Sequence, residues 1–189
     1  MNGLEQIGIA RLQVVAECFF LPPEGCVPHW KTRPASHFKE ARAATAFNTR
    51  FAGRPAGSVR RQDGRRRIIF WYRSVHLSMY AYQVVWALTN NEWPTADIDH
   101  RDGNPSNDQP ENLRLATASQ NLANTGMFAH NTSGAKGVSW DKSKKNWRAY
   151  VKVNGRMREV GRYESVEMAA AARKAAAAQA FGEFARESQ

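Results

Sequence analysis

The sequence predicts an α+β chain of two modules, residues 1–127 and 128–189. Three observations carry that expectation. Stretches of strand-like alternation such as "NWRAYVKVNG" occur beside stretches of helical spacing such as "MYAYQVVWAL". A polar linker, "HNTSGAKG", sets off a final run that reads as three antiparallel strands and one helix. Charge falls in three blocks: net +7 over residues 1–70, −3 over 71–129 and +6 over 130–189.

Composition narrows the class. Hydrophobic residues make up 42% of the chain, which fits a globular protein. No apolar run approaches a membrane span, since the stretch from Val14 to Leu21 is broken by Glu17 and followed by Pro22-Pro23. No basic leader with a small-residue cleavage site is read at the start, so no secretion signal is expected, and with no span-length run no membrane partner is expected either. Cys18 and Cys26 are the only cysteines, too few for a disulfide scaffold or a four-cysteine zinc site, and a reducing, cytoplasmic setting is expected. A net charge of +10 attracts polyanions, and nucleic acid is the usual one.

The elements follow in order. Residues 1–60 are punctuated by glycine, proline and basic residues and read poorly as regular structure. "RRQDGRRRIIFWY" reads as a hairpin turning at Asp63-Gly64, with Ile68 to Tyr72 as its second arm and Arg65, Arg66 and Arg67 placed to track phosphates. Met79 to Leu88 has helical spacing and ends before Trp93-Pro94. "ADIDH" reads as a short strand, "RDGNPSNDQP" as a loop, "ENLRLAT" as a second strand and "ASQNLAN" as a short helix capped by Thr117 or Ser119. In the last module Asn154-Gly155 is a two-residue hairpin signal. Ser165 caps a helix from Val166 to about Phe181, with Gly182 just past its end.

The informative segment is "IDHRDGNPSNDQPENLRLATASQNLANT". Phosphodiester hydrolysis needs an activated water, a cation on the scissile phosphate and fixed geometry between them. Asp99 offers a hard carboxylate donor suited to Mg²⁺, and His100 an imidazole that takes a proton near neutral pH. Zinc is disfavoured, because no cysteine is near and His76 and His130 are the only other nearby imidazoles. Asn112 follows His100 by twelve residues and Asn121 follows nine later. This spacing, with "DHRDGNPSND" and "ENLRLATASQN", resembles the phage-type HNH homing endonucleases, whose fold is the ββα-metal (His-Me finger) core, here expected at about 96–127. The resemblance implies Asp99 and Asn121 as metal ligands, His100 as general base and Asn112 as the asparagine that ties the loop and orients the imidazole. It also implies one divalent ion, Mg²⁺ with Mn²⁺ substituting, and a bacterial or phage-infected host. Where that family carries a His-Arg pair in the preceding helix, this chain has Tyr82-Gln83. "WKTRP" and "AGRPAG" echo the same family more weakly.

The last sixty residues, from "SGAKGVSW" to the alanine-rich helix, resemble the APETALA2/ethylene-response-factor DNA-binding domain. Alternation places Ala149, Val151 and Val153 on the helix-facing side of a strand and Arg148, Tyr150 and Lys152 on the other. By position Lys136, Ser139, Tyr150 and Lys152 match that family's DNA contacts, while charge adds Lys142, Lys144 and Arg148. Met157 and Glu159 fall where that family makes further contacts, so sequence preference does not carry over.

Together these readings give a metal-dependent HNH endonuclease that binds duplex DNA and, as a monomer or weak dimer with one active site, nicks one strand. The alternatives are a DNA-binding regulator with a decayed nuclease site, motivated by Tyr82-Gln83, and an RNA-directed protein. The groove-reading sheet favours duplex DNA over RNA.

Overall fold

In the computed structural model, which describes residues 10–23 and 25–186, the chain divides into two units, Met1–Arg114 and Leu115–Gln189. Both mix helices and strands, so the chain is α+β as expected.

The first unit is organised by a three-stranded antiparallel sheet in the order β3 (Ser58–Val59), β4 (Arg66–Tyr72), β5 (Val75–Tyr80). Alternation along β4 decides its faces. Ile68, Phe70 and Tyr72 point inward, and Ile69 and Trp71 are exposed. Leu77 and Met79 on β5 join the same core, with Val14, Val15 and Cys18 of helix α1 (Arg11–Cys18) and Val84 of helix α3 (Ala81–Asn90). The Asp63-Gly64 turn closes the β3–β4 hairpin, with Arg60 N donating to Arg65 O at 2.8 Å.

Three features of this unit differ from the sequence reading. Met79 and Tyr80 end a strand and do not open the helix, because Met79 pairs across the ladder with Ile68 and buries its side chain there. Tyr80 then becomes the N-cap of α3, its N–H donating to Gln83 Oε1 at 2.9 Å. The turn between β4 and β5 is Arg73-Ser74, both with positive φ, a conformation for which the sequence offers no glycine or asparagine signal. Arg73 N donating to His37 O at 3.0 Å holds it. Residues 10–60, read as irregular, contain α1, helix α2 (Ala41–Phe51) and a short ladder of β1 (Phe19–Phe20) with β2 (His29–Trp30).

Two polar residues are built into this core. Arg33, from "WKTRP", is fully buried, with its guanidinium 4.6 Å from the Phe38 ring and 4.9 Å from that of Phe47 and one N–H donating to Trp71 O. His37 lies 2.9 Å from Glu17, which also accepts from the Tyr72 hydroxyl at 2.6 Å.

Downstream of α3 the chain runs into strand β6 (Asp97–His100), which forms a two-stranded sheet with β7 (Leu113–Ala116); the loop between them ends in a 3-10 turn at Pro110–Asn112. The boundary between the two units falls within β7.

The second unit begins with α4 (Ala118–Ala123), capped by Thr117, whose hydroxyl accepts from Gln120 N while Gln120 Oε1 accepts from Thr117 N. Strands β8 (Val138–Asp141), β9 (Asn146–Val153) and β10 (Arg156–Tyr163) follow, in the order β10-β9-β8. Asn154 and Gly155, both with positive φ, turn β9 into β10. Helix α5 (Val166–Phe181), capped by Ser165, packs on this sheet through Ala169, Ala177 and Phe181 against Val138, Ala149 and Val151. Gly137 has φ +67°, and a Cβ there would lie 2.6 Å from Tyr150 O.

The Glu17–His37–Tyr72 cluster makes the first unit's stability depend on pH. Burial above all holds the His37 imidazole below its ordinary value, with Arg33 adding to it. The Tyr72 hydrogen bond holds Glu17 low, and burial followed by that same bond pushes the Tyr72 phenol up to about 12. Groups with depressed values lose their contribution as the pH falls through the folded value, and a raised phenol loses its contribution as the pH rises. This cluster's contribution should therefore be level between about pH 7 and pH 10 and fall on both sides, while the buried Cys18 thiol, pushed up to about 12, starts the alkaline decline of the melting temperature at a lower pH. Tyr72→Phe should cost about 1–3 kcal/mol at neutral pH and reduce the alkaline limb, to which Cys18 and Tyr82 also contribute, measured by thermal melts across pH.

Candidate active site

Strand β6 delivers Asp99 and His100 to its C-terminal end, where both side chains are buried. Asp99 Oδ2 accepts from Arg114 Nε at 2.9 Å, and both side chains of this ion pair are less than a tenth exposed. His100 Nε2 lies 3.0 Å from Asp108 Oδ1, also buried on both sides. The first carboxylate is thus tied to a guanidinium and the second to the imidazole.

The loop that follows is closed by Asn112. Its Oδ1 accepts from Asp102 N at 3.0 Å, and its Nδ2 donates to Asp102 Oδ1 at 3.0 Å and to Asn107 O at 2.8 Å. Its carbonyl accepts from Arg101 N at 2.8 Å. Asp102 takes further hydrogen bonds from Asn104 N and Asn107 Nδ2. Burial alone would raise the Asp102 carboxyl, but the donors from Asn107, Asn104 and Asn112 together hold it below the usual range. Ser106 Oγ donates to Gly64 O at 2.9 Å, so the loop also touches the basic hairpin.

Tyr82 and Gln83 have distinct tasks. Tyr82 stacks on Tyr80 and meets the His100 ring edge-to-face at 5.4 Å, while Gln83 caps α3. Burial pushes the Tyr82 phenol above its ordinary value. The three hairpin arginines also separate. Arg66 donates to Gly57 O, Arg67 donates to Ser78 Oγ, and the Arg65 guanidinium lies 5.9 Å from the Tyr80 ring and 5.8 Å from that of Tyr82.

Asn121 sits half-buried on α4 of the second unit. The carboxylate of Asp99 and the amide oxygen of Asn121 are hard donors, and among the described residues no group of three His, Cys, Asp or Glu gathers as a metal cage. That donor chemistry fits a small hard cation that takes few protein ligands and fills its shell with water and phosphate oxygens. It does not fit a closed zinc site.

The second unit presents Ser139, Arg148, Tyr150 and Lys152 from adjoining strands, with Ser139 opposite Arg148. Lys142 and Lys144 are exposed in the β8–β9 turn. Two of these cations are engaged within the unit. Lys136 Nζ donates to Ala123 O and Thr125 O, each at 2.6 Å, and Arg148 pairs with Glu159 at 2.8 Å. Glu159 also pairs with Arg162, whose guanidinium holds the Asp141 carboxyl well below its usual range. A cavity of about 430 Å³ opens among Leu122, Phe128, Tyr150, Lys152 and Phe181.

Asp108 and Arg114 are the site residues that sequence reasoning missed. Both stand in the quoted motif, but a loop aspartate reads as turn chemistry and a strand arginine as a surface charge. The only available signal was their shared proximity to the Asp99-His100 pair across a twelve-residue loop.

Comparison with known proteins adds three findings. The HNH endonuclease family matches residues 79–123. Protein 3.8 of Escherichia phage T7 is 36% identical over 100 residues, an overlap that spans 52% of this chain and 83% of that protein. No solved structure matches the chain.

Removing one partner of a buried ion pair strands the other charge. Arg114→Met should therefore cost about 3–5 kcal/mol in denaturant unfolding, and Asp99→Asn combined with Arg114→Met should recover much of it. Equal losses in the single and double variants would show that the pair is not what holds Asp99.

Proposed function

We propose, for a chain that belongs to the family of protein 3.8 of Escherichia phage T7 and carries an HNH endonuclease domain at residues 79–123, that it is a metal-dependent endonuclease nicking one strand of duplex DNA. The observation that carries this reading is the burial of Asp99 and His100 side by side at the head of a loop locked by Asn112. Surface turn residues would have no reason to be buried and individually partnered.

The nuclease region is residues 1–127, with a ββα-metal core at about 96–127 formed by β6, β7 and α4. His100 is the general base: it takes a proton from water as the water oxygen bonds to phosphorus and the bond to the leaving sugar oxygen breaks. Asn112 keeps the loop, and with it the imidazole, in one conformation. By the resemblance, Asp99 and Asn121 are the residues that would hold a divalent ion, Mg²⁺ in the cell with Mn²⁺ able to substitute. When bound, that ion stabilises charge on the scissile phosphate and leaving oxygen. Arg114 keeps the Asp99 carboxylate oriented, and Arg65 stands beside Tyr82 as the hairpin cation turned toward this end of the unit.

Residues 128–189 act as an APETALA2-like DNA-binding module that supplies affinity. Ser139, Arg148, Tyr150 and Lys152 offer phosphate and base contacts, and Lys142 and Lys144 add charge at the turn. Glu159 restrains Arg148 and Arg162, so the grip on DNA is moderated from within the sheet. A monomer with one active site cuts one strand per encounter, in the manner of homing endonucleases. No helix among the described residues is long and apolar enough to cross a membrane; the cytoplasm of an infected host is the place of action that the similarity to a phage protein suggests.

Supercoiled plasmid incubated with the full chain and Mg²⁺ or Mn²⁺ tests the proposal. Open circles that require metal and vanish in Asp99→Ala support it, and linear product would replace the monomer with a paired assembly. If a plasmid library is shifted on gels and never cut, the site is decayed and the protein is a DNA-binding regulator. Preference for duplex RNA in competition binding would overturn the DNA reading.

A further inference from the structure

We infer that the cavity beside strand β9 takes one unpaired nucleobase of DNA, stacked on the Phe128 ring with its phosphate at Lys152. The source of the base rests on the reading of residues 128–189 as a DNA-binding module, but the pocket itself does not.

Exposed apolar surface gathers at this cavity. Among the described residues six large apolar side chains of the second unit are exposed, and four of them, Leu122, Met127, Phe128 and Met157, line it. Soluble proteins scatter such residues, so a cluster of them around a hollow marks a binding surface. A volume of about 430 Å³ lies within the roughly 300–1,000 Å³ of small-ligand pockets, enough for a base with its sugar and too little for a folded partner. Val151 and Phe181 close the buried end. Phe128 is 59% exposed and stacks on His130 at 5.6 Å with the ring planes 11° apart, so its second face is open to another flat ring.

The polar groups match the rest of a nucleotide. Ala149 and Val151 pack on α5, so by alternation Tyr150 and Lys152 turn away from it, and Met157 faces Lys152 across the ladder. Ser139 and Tyr150 bring hydroxyls that can donate to or accept from a base edge. Lys152 is exposed beside them, and the same unit exposes Lys142, Lys144, Lys145, Arg156 and Arg158. A flat, hydrogen-bonding ring joined to an anion fits such a site better than a neutral aliphatic chain does. The wall is set before any ligand arrives. Lys136 Nζ donates to Ala123 O and Thr125 O, while Asn131 Oδ1 accepts from Ser133 N and Gly134 N and its Nδ2 donates to Ala135 O. A base inside an intact duplex is already paired and stacked, and drawing it out costs about what one aromatic stack returns. The pocket therefore selects DNA in which a base is unpaired from the start.

Fluorescence anisotropy of the full chain in EDTA, where metal-dependent cutting does not intrude, compares a DNA duplex with the same duplex carrying a single-base bulge. The wild type should bind the bulged duplex roughly 5–100-fold more tightly, the scale of one base on one aromatic ring. Phe128→Ala should remove that preference and leave affinity for the matched duplex within about twofold, and Phe128→Trp should keep it. Lys152→Ala should weaken both duplexes alike, as loss of a phosphate contact does. A 5-iodouracil at the bulge, irradiated in the complex, should crosslink to Phe128 or Tyr150, read by mass spectrometry of the peptides. Equal wild-type affinity for the two duplexes, a preference that survives in Phe128→Ala, or a crosslink outside the cavity overturns the inference. A larger preference for the same bulge in duplex RNA overturns DNA as the source of the base. If the wild type binds neither duplex, the DNA reading fails, and NMR of ¹³C-methyl-labelled methionines decides the pocket alone. Deoxyadenosine 5′-monophosphate should then move the Met127 and Met157 methyl signals, assigned with Met127→Leu and Met157→Leu, while deoxyribose 5-phosphate should not. Methyl signals that stay in place overturn the inference.

Discussion

The side chain of Asn112 closes the loop between β6 and β7 through three hydrogen bonds, two to Asp102 and one to Asn107. Eight of the loop's twelve residues are glycine, proline, asparagine or aspartate, which have little intrinsic reason to keep one shape, and fixing each residue costs about 1–2 kcal/mol of backbone entropy. An amide that both donates and accepts is suited to that work, because it satisfies backbone and side-chain partners from one point. Asp108 and the end of β6 inherit their positions from it. The buried pair His100–Asp108 is flanked in sequence by Arg101 and Asn107, both of which hydrogen-bond to Asn112.

Electrostatics show a similar economy. The chain carries +10 overall, yet several cations are committed to structure. Arg33 is enclosed by aromatic rings, Arg66 and Lys136 donate to backbone carbonyls, and Arg148 and Arg162 share Glu159. The charge left for a polyanion is therefore smaller than the sum, and in the second unit Lys142, Lys144, Lys145, Lys152, Arg156 and Arg158 remain exposed for it. Salt dependence of binding follows phosphate contacts actually made, so a formal count overstates it.

Much of the fold was legible because local signals agreed with tertiary demand. Asn154-Gly155, the Thr117 cap and the Ser165 cap each named an element that the structure contains. The errors fell where tertiary packing decided. Arg73-Ser74 turns a hairpin without turn residues because His37 holds its backbone, and Met79 is a strand residue because Ile68 faces it. Helix α2 lacks a side-chain cap and buries only Ala44 fully, so it carries neither a start signal nor a strong apolar stripe in the sequence. In the site, Asp99, His100 and Asn112 are singled out through the resemblance to HNH nucleases, and the structure sets them at the two ends of one loop. Asp108 and Arg114 are not, since a partner eight or fifteen residues away is fixed by the loop's conformation and leaves no periodic trace.

The central claim is that the Asp99–Asn112 segment performs hydrolysis while the C-terminal module holds DNA. Single-turnover cleavage and equilibrium binding, measured on the same DNA with wild type and His100→Ala, test it most directly. Loss of about 10²-fold or more in cleavage with unchanged affinity is the predicted result, matching removal of a general base. Equal cleavage by the two proteins, or an affinity loss that accounts for the whole effect, would contradict it.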